Sequence, residues 1–326
     1  MGSRVTPPPF SRRAFLGAGA ALAALPAWPD AEASVGATTR RLTLRRPTIR
    51  LALLQTHAPE LPRRDIAPAR LRTAHALQQQ IDQAIARLGT PDWLALPEFA
   101  LTGWGPFSRT QLRRAAIELP GREVETLAAT AHRHAMYLSI GAWVRDADWP
   151  DQVIPMTVFI DPDGQIIARH WQRHGPTASP HAITIETIES QYVERYGAAA
   201  LTPVVHTDIG NLSAVQGQIS RESLGARVEA GAEVLLLTRS GAPLAHGLTE
   251  GCRRHRMFGA VVGDAFEAQD PGAPPAPHGG GSAAFGPDGA TIAAATTPGK
   301  ACVIAELPLG EWRETQRTGA GFCSSA

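Results

Sequence analysis

The chain has 326 residues, 44% of them hydrophobic and 19% charged, which suits one large or two small globular domains and excludes a disordered chain. Lys+Arg 31 against Asp+Glu 30 leaves a net charge of +1. That balance offers no field for nucleic acid or an anionic membrane, so neither partner is expected. Lysine occurs once, at Lys300, and cysteine at Cys252, Cys302 and Cys323. Any chemistry needing an ammonium or a thiol is confined to four positions.

Ser11-Arg12-Arg13-Ala14-Phe15-Leu16-Gly17 reads as a twin-arginine export signal. An apolar run from Ala14 to Leu25 follows, too short to span a bilayer, and Ala31-Glu32-Ala33 is a small-x-small cleavage site. The expected organisation is a signal peptide over 1–33, a linker over 34–48, a catalytic-type domain over 49–315 and a loose tail over 316–326. A periplasmic or secreted location follows, with no membrane association after cleavage. Three cysteines permit at most one internal disulfide, and spacing does not choose the pair.

From Ile49 the chain alternates apolar runs with helix-period segments, the pattern of an α/β domain. Ile49–Leu54 reads as a buried strand. Leu71, Ala74, Ile81, Ile85 and Leu88 fall on one helical face that Gly89 stops. Trp93–Leu96 is a second strand, closing on Pro97-Glu98. Helical periodicity over Glu123–Ala135 precedes a strand at Tyr137–Trp143. The runs 153–160 and 165–170 flank Asp161-Pro162-Asp163-Gly164, a hairpin turn. A short helix from near Glu222 leads to a strand at Ala232–Leu237. Asp270–Gly281 is a Pro/Gly-rich loop. The Phe285-Gly286-Pro287-Asp288-Gly289 turn then repeats the earlier hairpin pattern, and Ala301–Glu306 is a final strand. Two such hairpins suggest two similar sheets.

Taken together, Leu53-Leu54-Gln55, the run Leu96-Pro97-Glu98-Phe99-Ala100-Leu101-Thr102-Gly103-Trp104, Leu138-Ser139-Ile140-Gly141, the two hairpins, Gly231-Ala232 with its strand, and Gly280-Gly281-Ser282 resemble the nitrilase superfamily of carbon–nitrogen hydrolases. The resemblance covers about residues 49–315 and implies an α-β-β-α sandwich, no cofactor, and homo-oligomers. It also implies hydrolysis of nitriles, amides or carbamoyl groups through a Glu, a Lys and a Cys. A thiolate attacks the carbon, a carboxylate moves the proton, and an ammonium holds the developing negative charge.

Matched residue by residue, Glu98 keeps the general-base position. Gln172 occupies the lysine place in His170-Trp171-Gln172-Arg173-His174, and strand alternation sends Arg173 to the opposite face. A neutral amide donates a weaker hydrogen bond than a cation. The cysteine place is Gly217 counted forward from Gly210, or Val215 counted back from Gly231, and the whole window from Ser213 to Glu222 lacks cysteine. His174, Gln216, Gln218 and Ser220 surround it as candidate binding groups. Ser220 reads more readily as a helix N-cap than as a nucleophile, because no Gly-x-Ser-x-Gly elbow encloses it.

Cys252 lies in the basic stretch Gly251-Cys252-Arg253-Arg254-His255-Arg256, a setting that would lower a thiol pKa, but off the attack point. The histidines His132, His134, His170, His174 and His206 have no carboxylate or thiol at ligand spacing, so no metal is expected. The expectation is an exported pseudo-hydrolase that binds a small amide- or nitrile-like molecule. The alternative is an active amide hydrolase using Glu98 with water or a substitute nucleophile.

Overall fold

A computed structural model describes residues 41–62, 64–103, 105–175, 177–217, 219–238, 242–265 and 280–318. The expected signal, Trp104, Gln218, Cys323, the tail after Thr318 and most of the Pro/Gly-rich loop lie outside the described residues. All that is described belongs to one unit, Gly36–Ala326.

Seven strands form the first sheet: β1 (Ile49–Gln55), β2 (Trp93–Ala95), β3 (Ile117–Glu118), β4 (Tyr137–Arg145), β5 (Ile154–Ile160), β6 (Ile166–Trp171) and, from the far end of the chain, Ala301–Leu307. The second sheet has six: β7 (Val205–Thr207), β8 (Gly210–Val215), β9 (Val234–Leu237), β10 (Phe258–Val261), β11 (Ala283–Phe285) and β12 (Thr291–Ala294). With Ala301–Leu307 as β13, the orders are β13-β1-β2-β4-β5-β6, with β3 beside β4, and β12-β11-β10-β9-β8-β7. Strands β1, β2 and β4 are parallel to one another, as are β8, β9 and β10.

Side-chain alternation builds the layers. Leu51 and Leu53 of β1 face the second sheet and share one core with Trp93, Leu212, Ala214, Val234, Leu236 and Ala260. Ala52 and Leu54 face the other way, onto Ala74, Leu77 and Ile81 of α1 (Ile66–Leu88) and Val124 and Leu127 of the later helix Arg122–Arg133. On the outer face of the second sheet, Val215, Leu235, Leu237 and Val261 pack on Leu224 and on Leu248 and Cys252. Helices therefore cover both outer faces, giving the α-β-β-α sandwich.

Helix α1 is stopped at Gly89 (φ 82), whose N–H bonds Ile85 O. Its buried face is Ile66, Ala69, Ala74, Leu77 and Ile81, one step round from the expected one. Leu88 is 40% exposed because it sits at the end of the last turn, beyond the sheet. Between β2 and β3 lies α2 (Arg109–Ala115), with a complete Ser108/Gln111 capping box that the apolar pattern does not announce. Arg122–Arg133 is α3, and Glu189–Tyr196 is α4. Helices α5 (Arg221–Glu229), α6 (Ala242–His255) and α7 (Leu309–Thr318) follow, the last running past the limit expected at residue 315.

Residues 41–48, expected as a linker, are packed on the sandwich. Arg41 Nε lies 3.0 Å from Glu233, Arg45 pairs with Asp208 at 3.0 Å, and Pro47 O accepts from Gly310 N–H. Among the described residues no helix is long and apolar enough to cross a membrane.

Candidate functional site

The parallel strands of both sheets end on one rim, the usual location of ligand sites in open α/β sheets. Glu98 stands just beyond β2 and is 5% exposed. Its N–H donates to Thr238 O, just beyond β9, at 2.8 Å, so this bond joins the two sheets beside the carboxylate. Thr238 and Thr157 of β5 add a cross-sheet hydroxyl contact of 3.4 Å. Neither threonine belongs to a recognisable motif, and sequence reasoning missed both.

The segment after Glu98 is held from two sides. A Cβ at Gly141 would lie 2.3 Å from Glu98 O and 2.5 Å from its Cα, so only glycine lets β4 approach. Phe99 stacks on Trp143 with centroids 4.3 Å apart, while Trp143 Nε1 donates to Gly103 O and Trp143 N–H to Thr102 Oγ1. The Pro-Glu…Thr-Gly motif is thus a rigid platform for the carboxylate.

Gln172 follows β6 and is 1% exposed. Its backbone N–H donates to Pro155 O and its carbonyl accepts from Ile185 N–H. Its side-chain Nε2 donates to the carbonyls of His174 at 3.2 Å and Gly175 at 3.4 Å. Arg173 turns the other way, as alternation requires, and lies 3.8 Å from Glu189.

Gly217 sits in the turn after β8 with φ 80. A Cβ placed there would meet Gln172 Nε2 at 2.8 Å and His174 O at 3.1 Å. Gly217 and Gln172 are therefore neighbours, whereas Val215 points into the helix-side core with Leu224 and Cys252. Gln216, between them, is 3% exposed, and both its amide atoms are buried without a hydrogen-bond partner. The Ser220 hydroxyl accepts from Ser223 N–H at 3.0 Å and caps α5, the role its sequence context favours over that of a nucleophile. His174 keeps its ring 3.8 Å from Glu186 and gives the site its carbonyl instead.

Behind this turn His170 Nδ1 accepts from Ala214 N–H at 3.0 Å, another bond between the sheets. Burial, reinforced by the Arg227 charge, pushes His170 down to about 3, so the ring is neutral. Arg227 of α5 is 2% exposed and donates to the Ser223 carbonyl and hydroxyl; burial and the charge of Arg173 lower it to about 10. At the next strand pair along the rim, Asp264 follows β10, and burial raises its carboxyl to about 7 against the opposing pull of His57. The adjacent Ala265 N–H bonds Thr56 O just beyond β1.

The cysteine expectation needs one correction. Cys252 does not feel its basic neighbours as a thiol activator, because it is fully buried against Leu224, Leu248 and Gly259 while Arg253 and Arg254 reach outward to Glu250. Burial pushes the thiol up to about 12. Cys302 is also a free thiol, on β13, and burial raises it too. Among the described residues no group of three or more His, Cys, Asp or Glu side chains is placed to hold a metal.

The family model for carbon–nitrogen hydrolases matches residues 50–317. A bifunctional nitrilase/nitrile hydratase NIT4A from Lupinus angustifolius is 28% identical over 221 residues, which span 60% of this chain and 58% of that protein. Among solved structures, Saccharomyces cerevisiae Nit3, a member of branch 10 of the nitrilase superfamily, superposes with a TM-score of 0.63 at 16% identity over 87% of this chain and 99% of its own. A mutant amidase from Nesterenkonia sp. AN1 in complex with acrylamide gives 0.58 at 16% over 85% and 97%. A carbon–nitrogen hydrolase from Helicobacter pylori G27 gives 0.59 at 15% over 83% and 93%. The chain belongs to the carbon–nitrogen hydrolase family of the nitrilase superfamily.

Proposed function

We propose that this chain is exported by the twin-arginine route and acts as a pseudo-hydrolase, holding a small amide- or nitrile-like molecule near Glu98 without forming a covalent intermediate. The observation that carries this reading is the contact at Gly217. Gly217, which faces Gln172, has no side chain, and the Gln172 amide fills the space a nucleophile's Cβ would need.

Two further features support it. The Nε2 group of Gln172 already has backbone carbonyl acceptors at His174 and Gly175, so it braces its own loop rather than standing ready for an oxyanion. The two described thiols lie elsewhere, Cys252 buried and Cys302 partly so, with their ionisation disfavoured. Gln216 meanwhile keeps an unspent amide donor and acceptor next to Gly217 in the chain. The amidase that shares this fold has been seen with acrylamide, so small primary amides head the list of ligands to try.

The test is a panel of small amides, nitriles and carbamoyl compounds, read by product formation and by thermal stabilisation of the same samples. Stabilisation without turnover, lost in Glu98→Ala, is the expected result. Turnover that survives iodoacetamide but disappears in Glu98→Ala would replace this reading with water-based hydrolysis. Secretion is checked by replacing Arg12 and Arg13 with Lys, which should retain the protein in the cytoplasm. Gel filtration of the exported form reports whether it is a homo-oligomer.

A further inference from the structure

At the same strand-end side as Glu98, but lined by none of the residues described around it, a cavity of about 430 Å³ opens where the start of α1, the end of β3, the start of α3 and the end of β4 converge. That volume lies within the range of about 300–1,000 Å³ typical of small-molecule sites. Three arginines from three different elements line it: Arg70 of α1, Arg122 of α3 and Arg145 of β4. Two carboxylates share the space, Glu123, 3.1 Å from Arg70, and Glu118, which pairs with Arg145. The lining thus carries one more positive than negative charge.

Two features go beyond an ordinary ion-pair cluster. The Arg122 guanidinium, exposed at the cavity wall, has no hydrogen-bond or ion-pair partner among the described residues. The Nε groups of Arg70 and Arg145 are buried without acceptors. Burial lowers Arg70 below its usual range, with Glu123 opposing and the Arg145 charge adding to the depression. The N-terminus of α3 also opens here: its N-cap is Gly121, which has no side chain to cap the helix. The first-turn amides and the positive end of the helix dipole therefore lack the usual side-chain acceptor.

We propose that this cavity binds a phosphate-type oxyanion, with Arg122 and Arg145 as the charge-assisted donors and the start of α3 as the backbone contribution. Guanidinium forks match the spacing of phosphate oxygens, and helix N-termini favour the same groups. A free phosphate would leave most of the cavity empty, so a phosphomonoester whose organic part lies over Ala67 and Leu71 is the better occupant.

Inorganic phosphate and glycerol phosphate, titrated at constant ionic strength against the full-length protein, test this by calorimetry and thermal shift. Saturable binding is expected, tighter for the ester. Arg122→Gln should weaken it on the order of tenfold, because it removes an unpaired cation without disturbing any internal contact. Glu118→Gln should tighten binding, since it removes an anion from the lining and releases Arg145. Glu118 is 64% exposed, so the fold should tolerate that change. A cluster that serves stability alone predicts the reverse for Glu118→Gln: a lower melting temperature and no gain in affinity. Equal responses in all variants, or no saturable response, would overturn the proposal. Tighter binding of inorganic phosphate than of the ester would identify the free ion as occupant.

Discussion

Gly217 is the residue on which the proposed loss of covalent chemistry turns, and its backbone makes it testable. At φ 80 an L side chain is strained, and its Cβ would press on Gln172 Nε2. Gly217→Ala should lower stability by about 1–2 kcal/mol, measured by urea denaturation. Because Nε2 is the end of a flexible side chain, part of that cost should vanish in a Gln172→Ala background, and a double-mutant cycle would show the coupling. Gly141→Ala is a harsher case, since the atoms in the way are Glu98 backbone with no freedom to swing aside. It should prevent accumulation of folded protein or cost about 3 kcal/mol or more. At this scale the sequence reveals Glu98, which closes a buried strand in a recognisable run, and Gln172, which falls at a fixed count after the first hairpin. Thr238, Thr157 and Asp264 reach the rim only through the stacking of two sheets, and no local pattern marks them. The choice between Gly217 and Val215 was likewise open in the sequence, since a short deletion shifts the count. It is the contact with Gln172 that sets them apart.

Among the elements, α5 bears most directly on the site because it follows the Gly217 turn. Its N-cap is Ser220, and Ser220→Ala should cost about 1 kcal/mol while Ser220→Gly costs only a few tenths. If Ser220 were a nucleophile instead, both substitutions would abolish any turnover alike; as a cap, the two should differ in melting temperature and leave ligand binding intact. Strands β1, β2, β4 and β9 were legible because buried parallel strands are uninterrupted apolar runs, whereas the equally buried β10 was not expected, its four residues Phe258–Val261 being interrupted by Gly259. The short helices were less so: α2 and α7 bury only Leu112 and Ala115, and Leu309 and Trp312, respectively. Too few apolar positions remain there to display a period of 3.6. What fixes α7 is partly polar, with Arg313 reaching the fully buried Glu233 at 2.6 Å and Trp312 Nε1 donating to Arg256 O. Glu233→Ala would leave Arg313 and Arg41 without their shared carboxylate, and should destabilise by about 3 kcal/mol in thermal unfolding.

For the whole molecule, two titratable groups at the sandwich interface and rim, His170 and Asp264, pull stability in opposite directions with pH. His170 is neutral in the folded state down to about pH 3 but takes a proton near 6.5 once unfolded. The unfolded chain therefore binds more protons below 6.5, and stability falls as pH drops from there, by on the order of 5 kcal/mol at pH 3. Asp264 acts the other way. Folded, it stays protonated up to about 7, whereas unfolded it ionises near 3.8. The folded state binds the extra proton between those values, so stability falls as pH rises through them. Between about pH 4 and 6.5 the two slopes oppose each other, and the wild-type profile from these groups should be shallow there. Asp264→Asn removes one slope and exposes the other: melting temperature should then climb steadily from pH 4 to 6.5. Above pH 7 the variant should be more stable than the parent, because it no longer has to ionise a largely buried carboxyl. A variant profile parallel to the parent's across this range would mean that Asp264 is ionised in the folded protein, and that the rim beside β10 is open to water rather than closed over it.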